Sequence, residues 1–181
     1  MRTMKDYEGP AVKASLAQLL ELSVALRDYR RGLILVGGWV PYLLLRDHQP
    51  KGDPFLHPGS IDIDFAVDPD KVGESDYASI ARRLLDLGFE RSPQSQFTFE
   101  RPVPVIGSGS AIKVAVDFLG PPPAEGSRRG RRHGQVQGDL VFRNSPAARV
   151  AIAHSVEAAI DGRLPNGASH RAMILICDVV A

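Results

Sequence analysis

Cysteine is nearly absent from this sequence. Cys177 is the only one among 181 residues, so no internal disulfide and no cluster of thiolate metal ligands is available, and a reducing compartment is expected. Charge of one sign is also scarce. The 22 Lys+Arg and 21 Asp+Glu leave a formal charge of +1, so any affinity for nucleic acid or an anionic membrane must come from a local patch. Long hydrophobic runs are missing too. The longest apolar stretch, residues 33–45, is broken by Gly37, Gly38 and Pro41 and is too short to span a bilayer. The opening residues mix both signs of charge where a signal peptide would place its apolar core. A cytoplasmic protein with no membrane partner is expected. No repeat of fixed period is visible. With 44% hydrophobic and 24% charged residues, the chain suits a single globular domain over 1–181 with a real core, and global disorder is excluded.

Periodicity then sets the expected elements. Residues 11–29 place Leu16, Leu19, Leu20, Val24 and Leu26 near one helical stripe; no heptad persists, so these leucines predict core rather than a zipper. Residues 33–36, Leu-Ile-Leu-Val, predict a buried strand closed by Gly37-Gly38. Residues 39–46 predict a helix that tolerates Pro41 in its first turn, and 47–59 a loop. Residues 60–67 alternate as a strand. A helix is expected over 76–87, capped by Ser75 or Asp76 and ended by Gly88. Residues 89–101 suggest a weaker strand or hairpin, and 112–119 a second clear strand. The Pro-, Gly- and Arg-rich residues 120–138 predict a loop. Residues 154–160 and 170–176 predict paired strands around the turn Pro165-Asn166-Gly167. The expected class is α/β or α+β around a mixed sheet.

Chemistry enters with Asp62 and Asp64. Side chains alternate along a strand, so both carboxylates are expected on one face, with Ile61, Ile63, Phe65 and Val67 on the other. Two adjacent like charges repel, and a divalent cation such as Mg²⁺ or Mn²⁺ would remove the conflict. An exposed edge strand with solvated aspartates is the plainer alternative. Asp117 lies in the second clear strand beside Lys113 and Ala115, opposite Val114, Val116 and Phe118. A third carboxylate on a neighbouring strand would complete a two-metal site. The segment Val36-Gly37-Gly38-Trp39 runs from strand to helix, and its small residues would let backbone N–H groups approach a phosphate at the helix start.

Taken together, LVGGWVPYLL, SIDIDFAV and VAVDFL resemble the polymerase-beta type nucleotidyltransferase superfamily, and more narrowly the AbiEii/AbiGii toxin group of toxin–antitoxin and phage-defence systems. The resemblance covers roughly residues 33–119. It implies a nucleotidyltransferase fold, a mixed sheet flanked by helices. It also implies that Gly37 and Gly38 contact a nucleoside triphosphate, with Ser60 near its phosphates. Asp62, Asp64 and Asp117 would be the catalytic metal ligands, with Asp117 aiding the nucleophile. The implied reaction moves a nucleoside monophosphate from an NTP to a hydroxyl of RNA (such as tRNA), a protein or a small molecule; a cognate antitoxin is an implied partner. The 23 residues 39–61 between the diglycine and Asp62 exceed the compact spacer common in the superfamily, the excess falling in the 47–59 loop. The family pattern also continues into a helical region with a Lys and then a Lys-Asp pair. The chain reaches Ala181 without matching positions, at what reads as the start of a helix. The expectation is therefore a C-terminally short domain, and the alternative to an enzyme is an inactive nucleotidyltransferase domain acting as a binding module.

Arg128, Arg129, Arg131, Arg132 and His133 form one basic cluster that would suit nucleic acid, but no aromatic is interleaved and a solvated loop is favoured. Trp39 is expected in the core rather than stacked on a base, and Cys177 as a small core residue. His48, Asp53 and His57 have irregular spacing for zinc.

Overall fold

The leucine stripe near the N-terminus folds as helix α1, Pro10–Ala25, followed by a 3-10 turn at Arg27–Tyr29. Pro10 sits in the first turn, where its missing N–H breaks no helical bond. Leu19, Leu20 and Leu22 are fully buried, so the helix is held by its apolar face and not by a cap. The computed structural model describes residues 9–48, 57–73, 79–105, 107, 109–123 and 133–178.

The strands are β1 Leu33–Val36, β2 Ile63–Val67, β3 Glu90–Arg91, β4 Thr98–Pro104, β5 Ala111–Gly120, β6 His133–Val136, β7 Leu140–Asn144, β8 Ser155–Arg163 and β9 Ser169–Cys177. The remaining helices are α2 Trp39–His48, α3 Ile80–Asp86 and α4 Pro146–Ala153. One mixed sheet runs in the order β3-β4-β5-β2-β1-β9-β8, with β7 pairing β5 and β6 outside β7. Strand β1 is antiparallel to β2 and parallel to β9, while β2 is parallel to β5. This is a mixed α/β architecture with helices flanking the sheet. Phe65 of β2, with Leu22 of α1 and Leu26 just past its end, lines one small cleft, so α1 lies over the Phe65 face. Phe118 stacks on Phe65 at 6.1 Å and meets Phe99 edge-on at 6.0 Å, which extends that apolar face across three strands.

Several expected boundaries move. Strand β2 starts at Ile63, so Ser60, Ile61 and Asp62 precede it, although burial still alternates from Ile61 to Phe65. Helix α3 starts at Ile80, and its cap is Ser79, whose Oγ accepts from the Arg82 N–H at 3.1 Å. The caps expected at Ser75 and Asp76 lie outside the described residues. The loop expected over 120–138 is corrected at its end: His133–Val136 is a strand, hairpinned to β7 through Gln137 and Gly138, both at positive φ. Two glycines that read as loop markers have a packing cause. A Cβ on Gly120 or on Gly134 would collide with the Phe142 ring, which fills the space between β5, β6 and β7. Strand β7 and helix α4 form in a stretch whose local pattern predicts no element. The 89–101 hairpin forms as β3 and β4, and the Pro165-Asn166-Gly167 turn joins β8 to β9.

Candidate active site

Register brings the two strand aspartates together. Asp64 of β2 pairs with Asp117 of the parallel neighbour β5, and partners in register on parallel strands share a face. That face is opposite Phe65 and Phe118. On its other side Asp64 pairs with Val36, the last residue of β1, just before the diglycine. Gly37 has φ 74, a left-handed conformation suited to glycine, and a Cβ there would run into Asp64 Oδ2. At Gly38 a Cβ would lie 3.1 Å from both Cβ and Oγ of Ser60. The diglycine therefore lets the β1–α2 turn close down on the Asp64 carboxylate and the Ser60 hydroxyl, directly before the N-terminus of α2 at Trp39.

The carboxylates differ in surroundings. Burial, followed by the nearby charges of Asp117 and Asp62, pushes the Asp64 carboxyl up from 3.8 to about 6, and Arg143 works against that rise. Asp62, half-buried ahead of the strand, thus contributes charge at the site without belonging to the ladder. Asp117 is fixed from its other neighbour: the buried Thr98 hydroxyl donates to Asp117 Oδ1, and Ser95 Oγ lies 2.6 Å from the same Thr98 oxygen. Among the described residues, no three Asp, Glu, His or Cys side chains are gathered tightly enough to form a ready-made metal cage. The donor set still suits a hard divalent cation. Asp64 is a partly buried carboxylate that feels the charges of two others, which is the conflict that such an ion relieves.

Thr98 and Arg143 were not singled out by the sequence reading. Arg143 of β7 pairs with Leu119, two residues beyond Asp117 on β5, and so lies on the carboxylate face one strand further out. Its guanidinium is 5.4 Å from the Phe97 ring centre, and the His133 ring is 5.6 Å from the same ring. His133 and Arg143 are cross-strand partners. The available signal was the run Leu140-Val141-Phe142-Arg143, an apolar segment ending in a cation; its pairing with β5 is not a local property.

The remaining candidates resolve by burial. Trp39 is fully buried, edge-on to Tyr42 at 5.2 Å, and so belongs to the core. Cys177 is buried at the end of β9. His57 Nδ1 accepts from the Gly59 N–H at 3.1 Å, a loop contact; Asp53 of the same irregular set lies outside the described residues. So do Arg128, Arg129, Arg131 and Arg132, and the helix start expected at residues 179–181. Among the described residues no helix is long and apolar enough to cross a membrane. In comparisons with known families, curated proteins and solved structures, nothing matches this chain.

Proposed function

We propose that this chain is a metal-dependent nucleotidyltransferase that moves a nucleoside monophosphate from an NTP to a hydroxyl acceptor on RNA, protein or a small molecule. The observation that carries the reading is the in-register pair Asp64–Asp117 with Gly37 pressed against Asp64. Asp64 and Asp117, with Asp62 alongside, would hold Mg²⁺ or Mn²⁺. When bound, such an ion lowers the pKa of an attacking hydroxyl and offsets charge building on the transferred phosphate.

The chain's own groups do the rest. The start of α2, beside Gly37 and Gly38, presents backbone N–H groups and the positive end of a helix dipole to an anion. Ser60, packed on Gly38, adds a hydroxyl donor there. Thr98 occupies one oxygen of Asp117 and so orients the other toward the reacting hydroxyl. Arg143 stands across the carboxylate pair from the diglycine, since the strand order there is β1-β2-β5-β7, and gives a fixed positive charge on that side. Catalysis would rest on positioning and on preorganised charge rather than on a covalent intermediate. A toxin acting through this reaction, held in check by an antitoxin, fits the same site chemistry.

The test uses labelled NTP with Mg²⁺ or Mn²⁺ and a mixed acceptor pool. Asp62→Asn and Asp117→Asn should each abolish label transfer and weaken Mn²⁺ binding read by electron paramagnetic resonance. Transfer or Mn²⁺ binding left at the unmutated level would refute the assignment.

A further inference from the structure

The other face of the sheet carries a separate concavity. A cavity of about 710 Å³ opens between the first half of α1, the far end of β4 and the tip of the β8–β9 hairpin. Val103 on its wall shares a face of β4 with Phe99, and Phe99 packs on Phe118. The cavity therefore lies on the side opposite Asp64 and Asp117, and it is independent of the reaction proposed above. Its volume falls within the few hundred to about 1,000 Å³ typical of small-molecule sites. Ala14 and Ala17, one helical turn apart, open space on α1, and Leu164 closes the hairpin side.

Charge on the rim is of one sign. Lys13, Arg101 and Arg163 line the cavity, and no acidic side chain lines it among the described residues. Arg101 is held in place by Glu21 at 2.7 Å and Gln18 at 3.0 Å, so its charge is largely spent. Lys13 and Arg163 are exposed and have no ion-pair partner among the described residues. An apolar hollow edged by two cations with no partner among the described residues matches a molecule with an apolar body and one anionic head.

We propose that this cavity binds a small anionic amphiphile, of the class of a medium-chain carboxylate. The probe is laurate, titrated into the full chain by calorimetry and by displacement of the fluorescent anion 1-anilinonaphthalene-8-sulfonate, with dodecanol and dodecylamine as comparators. Saturable one-to-one laurate binding is expected, with dodecanol weaker and dodecylamine not bound. The double reversal Lys13→Glu/Arg163→Glu should weaken laurate roughly tenfold or more while leaving dodecanol unchanged. Filling the hollow with Ala17→Phe, or from the exposed hairpin side with Leu164→Trp should the helix variant not fold, should remove both ligands. Equal binding of laurate and dodecylamine, laurate binding that survives the filled cavity, or no saturable laurate binding would overturn the proposal. The last result would leave the groove to a protein partner.

Discussion

Replacing Asp64 by Asn should make the metal-free protein more stable at neutral pH, although it removes the central group of the site. The reason is linkage. Asp64 titrates near 6 in the fold against an ordinary value of 3.8, because burial and the charges of Asp117 and Asp62 disfavour its ionised form. Between those two values the folded chain binds the proton that the unfolded chain has released, so stability falls as pH rises through that window and is flat above it. A displacement of about two pH units at about 1.4 kcal/mol each amounts to about 3 kcal/mol lost by neutral pH. Asparagine has the same shape and carries no charge, so the variant escapes that loss. Urea unfolding in the presence of a chelator, run at intervals from about pH 4 to about pH 8, should show the two proteins converging at the acid end and the variant ahead by up to about 3 kcal/mol at the alkaline end. Groups that do not interact with Asp64 cancel in the difference between the two curves, which therefore carries the titration of Asp64 together with its coupling to Asp117 and Asp62. Parallel profiles, or a variant weaker at every pH, would refute the account of Asp64 as a charge held at a cost. Mg²⁺ should then separate the proteins in the opposite sense, raising the melting temperature of the unmutated chain and leaving Asp64→Asn unmoved.

Three further outcomes follow from the geometry. Gly37→Ala places a methyl against Asp64 Oδ2 at a positive φ, and should cost about 1–3 kcal/mol in urea unfolding together with Mn²⁺ affinity. Thr98→Val removes the donor to Asp117 Oδ1; it should cost about 1–3 kcal/mol and lower kcat more than it raises KM, with Thr98→Ser restoring kcat. Arg143→Met withdraws the charge that opposes the rise at Asp64, so the Asp64 carboxyl, followed by NMR titration, should move further up, and Arg143→Lys should hold it near the unmutated value.

Local pattern was enough for much of this fold. The Leu-Ile-Leu-Val run became β1 residue for residue, because a short apolar segment ended by two glycines has few other ways to bury itself. The alternation in residues 112–119 sorted Asp117 from Val116 and Phe118 correctly, since side-chain direction in a strand depends only on parity. The Pro165-Asn166-Gly167 turn likewise announced its hairpin. The segment 133–153 shows where such reasoning stops. Gly120 and Gly134 looked like chain breakers, yet they lie in strands and are small because Phe142, the hairpin partner of Gly134 and far from Gly120 in sequence, occupies their side-chain space.

The candidate site divides along the same line. Which residues are acidic, which face each strand aspartate takes and where the backbone is free of Cβ atoms are properties of neighbours in the chain, and they were readable there. That β2 lies parallel to β5 in the register that sets Asp64 beside Asp117, that Thr98 holds one of those oxygens and that Arg143 tempers the other carboxylate are outcomes of strand pairing between segments separated in sequence. Pairing of that kind is chosen by the whole sheet burying its Phe65–Phe118 face under α1, a free energy shared among all the strands and encoded in no single one of them.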